Sequence, residues 1–146
     1  MSDAPVLPEG LPTPMPLPDG LDAPYWEGTR NHELKVQRCN ACRGWQWTAE
    51  YICHRCHSFD LGFETVPGES RIFSWQRPHH PVHPALAAAC PYVVVLVEFP
   101  DADGIRMVGN LVDPPEGEIP IGARVEPVYE DHTGQPDYTL VQWRLA

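Results

Sequence analysis

The chain has 146 residues, room for one modest domain and an appendage, and 20 acidic residues against 10 Lys and Arg give it a formal net charge of −10. No apolar run is long enough to cross a bilayer, and Asp3 stands where a secretion signal would place a basic residue. A membrane partner is therefore not expected, the cytoplasm is the expected compartment, and the acidic balance disfavours a nucleic-acid partner.

Residues 1–24 hold seven of the 18 prolines and four acids, with neither Lys nor Arg. Proline fixes φ and lacks the amide donor, so this arm is expected to be neither helix nor sheet. It reads as an extended, polyproline-like segment or a disordered tail, and its regular leucines would also suit a partner's groove. Pro24-Tyr25-Trp26-Glu27 then marks a helix start, and a short helix to about His32 places Trp26 and Arg30 on one face.

The alternating run 34–38 predicts a strand that leads into Cys39-Asn-Ala-Cys42, followed by ten residues and then Cys53-His-Arg-Cys56. Each Cys-x-x-Cys fits a tight turn that aims two sulfurs at one ion, and two such turns complete a tetrahedron of thiolates about 2.3 Å from zinc. The competing readings, two structural disulfides or a redox pair, fit the paired spacing less well in a chain without a secretion signal. Cys39, Cys42, Cys53 and Cys56 are thus the expected Zn²⁺ ligands. A four-sulfur site is closed and so structural, and His54 and His57 are not needed in it. Residues 25–66 form the predicted helix and zinc ribbon, too small to bury a core of its own without the metal.

After Pro67-Gly68 five strand-like runs follow: 71–76, 92–99, 105–111, 123–130 and 138–144. The second contains Val93-Val94-Val95-Leu96-Val97 and should be central. Asp101-Ala102-Asp103-Gly104 predicts a hairpin turn, Pro127 an edge or a bulge, and 132–136 a further turn. The fold class is mostly β, and residues 67–146 suit a small, partly open five-stranded barrel of the OB type, with a simple sandwich as the alternative.

Several segments together resemble a known family: Tyr25-Trp26-Glu27-Gly28, Glu33-Leu34, the two cysteine pairs, 91–98, Gly109-Asn110-Leu111-Val112-Asp113 and Ile121-Gly122-Ala123-Arg124-Val125. That family joins a rubredoxin-like zinc ribbon to an OB-fold and has long been labelled domain of unknown function 35. The resemblance covers residue 25 to the C-terminus. It implies association with thiolase-like enzymes of acyl-CoA metabolism. Some members bridge thiolase and hydroxymethylglutaryl-CoA synthase; others accompany lipid-transfer-type aldolases that shorten sterol side chains held as CoA thioesters. It therefore implies a required but non-catalytic subunit of a hetero-oligomer whose thiolase-fold partner performs carbon–carbon cleavage. The ribbon and the Trp26 helix would dock on that partner, with exposed tryptophans as anchors.

A shared coenzyme A thioester would bring phosphates needing basic contacts. The candidates are Arg43, Arg55, Arg71 and Arg77, with Trp45, Trp47 and Trp75 as stacking faces, although most phosphate contacts are expected from the partner. His79, His80 and His83 lie in a proline-held loop that more readily faces a partner or ligand than binds a second metal. Cys90 lacks an evident base and reads as a buried small hydrophobe. Glu98, Asp101, Asp103 and Asp113 read as turn and strand-end residues. No catalytic residue is assigned. The rival functions are an OB-fold nucleic-acid module, the bridging subunit just mentioned, and a stand-alone enzyme built on the histidine loop.

Overall fold

The computed structural model describes residues 5–146; the first four residues of the predicted arm lie outside the described residues. From Pro5 to Asp22 the chain forms neither helix nor strand, as its prolines require. It nevertheless lies against its own barrel. Helix α1 (Ala23–Arg30) has Pro24 in its first turn, where the missing donor costs nothing, and Arg30 in its last. The chain then reverses through His32, at φ 57°. Gly28 permits the reversal, because a Cβ there would sit 2.7 Å from the Glu33 carbonyl oxygen.

Strands β1 (Lys35–Cys39), β2 (Trp45–Gln46) and β3 (Leu61–Thr65) form an antiparallel sheet in the order β2-β1-β3. Strand β3 was not expected as a separate strand; it pairs with all of β1, from Lys35↔Thr65 to Cys39↔Leu61. A second, five-stranded sheet contains β4 (Ser70–Gln76), β5 (Val94–Phe99), β6 (Ile105–Asn110), β7 (Arg124–His132) and β8 (Tyr138–Leu145), in the order β6-β5-β4-β7-β8. Its two outer strands approach through one parallel bridge, Leu111↔Trp143, and the bond from Val112 N to Trp143 O at 2.7 Å. This is the partly open OB barrel expected, not a sandwich.

Strand β4 pairs with β7 only at Ser70↔Val125 and Arg71↔Arg124, so Pro127 stands where β7 has β8 as its single ladder partner, an edge position that tolerates proline. A register shift between Ile72 and Ser74 turns Phe73 outward, where the Arg106 guanidinium covers its ring at 3.5 Å. Strand β7 runs two residues beyond the expected end, because Asp131 and His132 still pair with Thr139 and Tyr138.

One apolar cluster serves both sheets. Leu34, Val36 and Trp45 from the ribbon pack with Ile72, Val95, Val97, Phe99, Met107 and Trp143 from the barrel, and Tyr25 and Trp47 close over them. The ribbon thus borrows the barrel's core.

Candidate metal centre

The two Cys-x-x-Cys turns have the same construction. In the first, Arg43 N donates to Cys39 O at 3.0 Å and Cys39 N to Gly44 O at 2.9 Å; in the second, His57 N donates to Cys53 O at 3.0 Å and Cys53 N to Ser58 O at 2.9 Å. The residue after each pair adopts a left-handed conformation, Arg43 at φ 65° and His57 at φ 61°. These turns bring four sulfurs together: Cys39 and Cys56 Sγ atoms are 3.6 Å apart, Cys42 and Cys53 Sγ atoms 3.6 Å, and all four lie within 4.8 Å of one another. A tetrahedral zinc site with bonds of about 2.3 Å has sulfur–sulfur edges of about 3.8 Å. A disulfide needs about 2.05 Å, so these are four separate thiols arranged to fit a zinc ion.

Electrostatics agree with that assignment at two sulfurs. The amides of Cys56 and Arg55 pull the Cys53 thiol down to about 6, and the Cys42 amide lowers Cys39. Cys42 goes the other way, to about 11: burial and the neighbouring sulfurs outweigh the Gly44 amide. Crowding of sulfurs raises the cost of a second and third thiolate, and a divalent ion removes that cost. The His54 ring donates from Nδ1 to Gln46 Oε1 at 2.7 Å, and His57 occupies the left-handed turn position, so neither joins the cluster.

Two features holding this site were not read from the sequence. Gln37 and Gln46 are buried, and Gln46 Nε2 donates to Gln37 Oε1 at 2.7 Å. Gln37 also binds the backbone of Glu50 in both directions, and Gln46 Oε1 accepts from His54 N. The loop between the knuckles is thereby wired to the sheet beneath it. Asp103 does more than shape its turn: its Oδ2 accepts from Trp45 N at 2.8 Å and faces Arg55 at 3.3 Å, fastening ribbon to barrel.

The arginines proposed for phosphate contacts are already engaged. Arg43 pairs with Glu64 at 2.7 Å, whose carboxyl is held below its usual range chiefly by that bond; Arg71 pairs with Glu69 at 3.0 Å; Arg77 donates to the carbonyls of Pro115, Glu116 and Gly117. Arg71 is the second residue of β4 and Arg77 follows its last, about 20 Å apart at strand rise, so the four do not form one cluster. The expectation of exposed tryptophans is corrected. Trp45 and Trp143 are buried, Trp26, Trp47 and Trp75 are half-buried, and Arg38 and Arg77 already cover the Trp45 and Trp75 rings. The exposed large apolar residues of the ribbon are Tyr51, Ile52 and Phe59, at 75%, 39% and 79% exposure.

His79 and His80 are exposed, while His83 is half-buried and accepts from Ala85 N, capping the short 3-10 turn Pro84–Leu86. The three rings form no metal cluster among the described residues. Cys90 is half-buried.

Comparison with known proteins agrees with this geometry. Residues 26–62 match the family described as ChsH2, rubredoxin-like zinc ribbon domain, and residues 63–130 the ChsH2 C-terminal OB-fold domain. A solved chain described as Ltp2-ChsH2(DUF35) aldolase aligns at 34% identity and TM-score 0.70, covering 85% of this chain and 93% of that one. The chain belongs to the ChsH2 zinc-ribbon and OB-fold family. A relative in Thermomonospora curvata, named a probable enoyl-CoA hydratase alpha subunit, is 35% identical over 91% of this chain. Another, the 3-oxo-4,17-pregnadiene-20-carboxyl-CoA hydratase alpha subunit of Mycobacterium tuberculosis, is 28% identical over 90% of it. The chain spans 40% and 44% of the lengths of these two relatives. A DUF35-family structure of unknown function from Sulfolobus solfataricus shares the fold at 13% identity and TM-score 0.60, with 88% and 87% of the two chains covered. No helix among the described residues is long and apolar enough to cross a membrane.

Proposed function

We propose that the chain is the zinc-bearing, non-catalytic subunit of a hetero-oligomeric aldolase acting on a steroid side-chain CoA thioester, with a thiolase-fold, lipid-transfer-type partner. The observation that carries this reading is the near-complete span, 93%, of the ChsH2(DUF35) chain described in an aldolase. The hydratase relatives are spanned to less than half, which favours the aldolase role over hydration. The metal site supports a structural part: four sulfurs fill a tetrahedron and leave no position for water or substrate. Zn²⁺ bound by Cys39, Cys42, Cys53 and Cys56 would fix the ribbon against the barrel.

The reaction is a retro-aldol cleavage. A base takes the β-hydroxyl proton, the Cα–Cβ bond breaks as a carbonyl forms at Cβ, and the thioester enolate accepts a proton at Cα. The products are a ketone or aldehyde and a shorter acyl-CoA. The acid and base belong to the partner in this reading, as do most contacts to the CoA phosphates. Arg43, Arg55, Arg71 and Arg77, with Trp75, remain the contacts this chain would offer by exchanging their internal partners. The exposed tip of Tyr51, Ile52 and Phe59 is the ribbon's docking surface, since aromatic groups that desolvate fully make strong interface anchors.

Copurification with a thiolase-fold protein from the native host tests the assignment. One zinc per chain, assembly lost in Cys39→Ser plus Cys53→Ser, and no turnover by the isolated chain are expected. Turnover by the pure chain alone, or assembly unchanged in the double variant, would overturn it.

A further inference from the structure

The loops that frame the ligand cleft of OB barrels are the one after the first strand and the one between the fourth and fifth. Here those are residues 77–93 and 133–137. The proline-rich arm runs between them. A Cβ at Gly10 would lie 3.4 Å from that of Ala85 in the first loop, and Val6 N donates at 3.0 Å to Glu130 Oε2 beside the second. The arm does not fill the cleft. A cavity of about 560 Å³ remains between them, within the range of small-molecule sites.

The two walls of this cavity differ in chemistry. The roof is mostly apolar, with Leu7, Pro8, Leu11 and Pro12 from the arm, and carries Glu9 and Thr13 as its polar members. The floor is a polar network on β7, β8 and the end of β6. The Glu130 side chain is only 11% exposed, no Lys or Arg lines the cavity, and its Oε1 meets His132 Nε2 at 2.6 Å. The His132 ring stacks on Tyr138, with centroids 4.5 Å apart. Gln142, 4% exposed, accepts from the backbone and side-chain amides of Asn110 and donates to Glu130 at 3.4 Å. The Tyr138 hydroxyl, His132 Nδ1 and Asn110 Oδ1 have no hydrogen-bond partner among the described residues. Thus a nearly buried carboxylate and residues with polar atoms to spare line the floor beneath a mostly apolar roof. The zinc centre uses none of them.

We propose that this cavity is a binding site for a neutral, largely apolar molecule carrying a hydroxyl, with residues 5–14 as its roof and Glu130 as the acceptor of the hydroxyl proton. A neutral ligand follows from the lining: a phosphate or carboxylate would meet Glu9 and Glu130 with no Lys or Arg to offset the repulsion and with His132 already engaged by Glu130, so the cavity is not a coenzyme A site. The hydroxyl follows from the floor, where a carboxylate has lone pairs beyond its present bonds and a ligand donor restores the solvation that burial removes.

The test uses the full chain and three naphthalene probes: 2-naphthol, 2-methoxynaphthalene without the donor, and anionic 2-naphthoate. Fluorescence titration gives affinity, and amide chemical shifts locate the site. Saturable one-to-one binding of 2-naphthol is expected, about tenfold tighter than the methyl ether and with no naphthoate binding below about 1 mM. The shifts should fall on 5–14, Asn110 and 130–142. Glu130→Gln should abolish the preference for naphthol while the circular dichroism spectrum stays native. Deletion of residues 1–14 should weaken naphthol binding by about tenfold. Equal affinity for naphthol and its ether, shifts centred elsewhere, absence of saturable binding, or unchanged or tighter binding without the arm each overturns the proposal.

Discussion

At Gly109 a missing side chain makes room for another. A Cβ there would stand 2.6 Å from Trp143 Cδ1 and 2.7 Å from its Nε1. Trp143 is 1% exposed, packs edge-on to Phe99 at 5.7 Å, and its Nε1 has no partner among the described residues. The indole thus lies close against the β6 backbone and has little room to yield. Gly109→Ala should destabilise the chain by about 1–3 kcal/mol, the cost of overpacking a tight core, as read by urea unfolding. A loss under about 0.5 kcal/mol would show that the indole moves freely. Asp131 supplies a second test at this scale. The Thr139 hydroxyl first, then His32, hold its carboxyl below the usual range. A depressed carboxyl contributes stability that is present above its unfolded pKa and lost as pH falls through the folded one. The urea midpoint should therefore fall from about pH 4 downward, and Asp131→Asn should shallow that slope. An identical slope in the variant would remove Asp131 from the account. The sequence shows Gly109 as part of a motif and Asp131 as one acid among many. Their partners, Trp143 and His32, are remote in sequence, so the reason for either appears only in the folded chain.

Among the elements, legibility follows local pattern. The five barrel strands were readable as strand-like runs set between turn residues, most clearly β5, where the run Val93–Val97 is the most apolar and Val95 and Val97 are fully buried. The metal site was readable because four sulfurs at fixed spacing serve one chemistry. Strand β3 was not, since Leu61-Gly62-Phe63-Glu64-Thr65 shows no clean alternation of burial and is held by pairing with β1. The exposure of the tryptophans was misjudged for a related reason. Tryptophan content was legible, but whether a ring faces solvent depends on what crosses it, and Trp45 and Trp75 are covered by arginines. The tip aromatics replace them in the proposed interface. Tyr51→Ser with Phe59→Ser should leave the folded chain intact, because both side chains are mostly exposed, and weaken partner binding by about thirtyfold, or 2 kcal/mol. Titration calorimetry against the purified partner reads this directly. Unchanged affinity would move the interface off the ribbon tip.

For the whole molecule the shared core decides how the metal acts. Leu34, Val36 and Trp45 belong to one cluster with the barrel residues, and Asp103 ties the backbone of Trp45 and the Arg55 side chain to the turn between β5 and β6. Zinc binding contributes about 10–16 kcal/mol in isolated zinc-finger peptides, comparable with the entire stability of a domain, about 5–15 kcal/mol. Loss of the ion frees the knuckles, and the ribbon residues then leave the barrel's core with them. Chelation should therefore lower the melting temperature of the whole chain in a single transition, followed together by near-ultraviolet dichroism and tryptophan fluorescence. An independent ribbon would melt first, leaving Trp143 and the barrel at their original temperature. Two separated transitions after chelation would show that the cluster does not couple the sheets, and that zinc rigidifies only the ribbon.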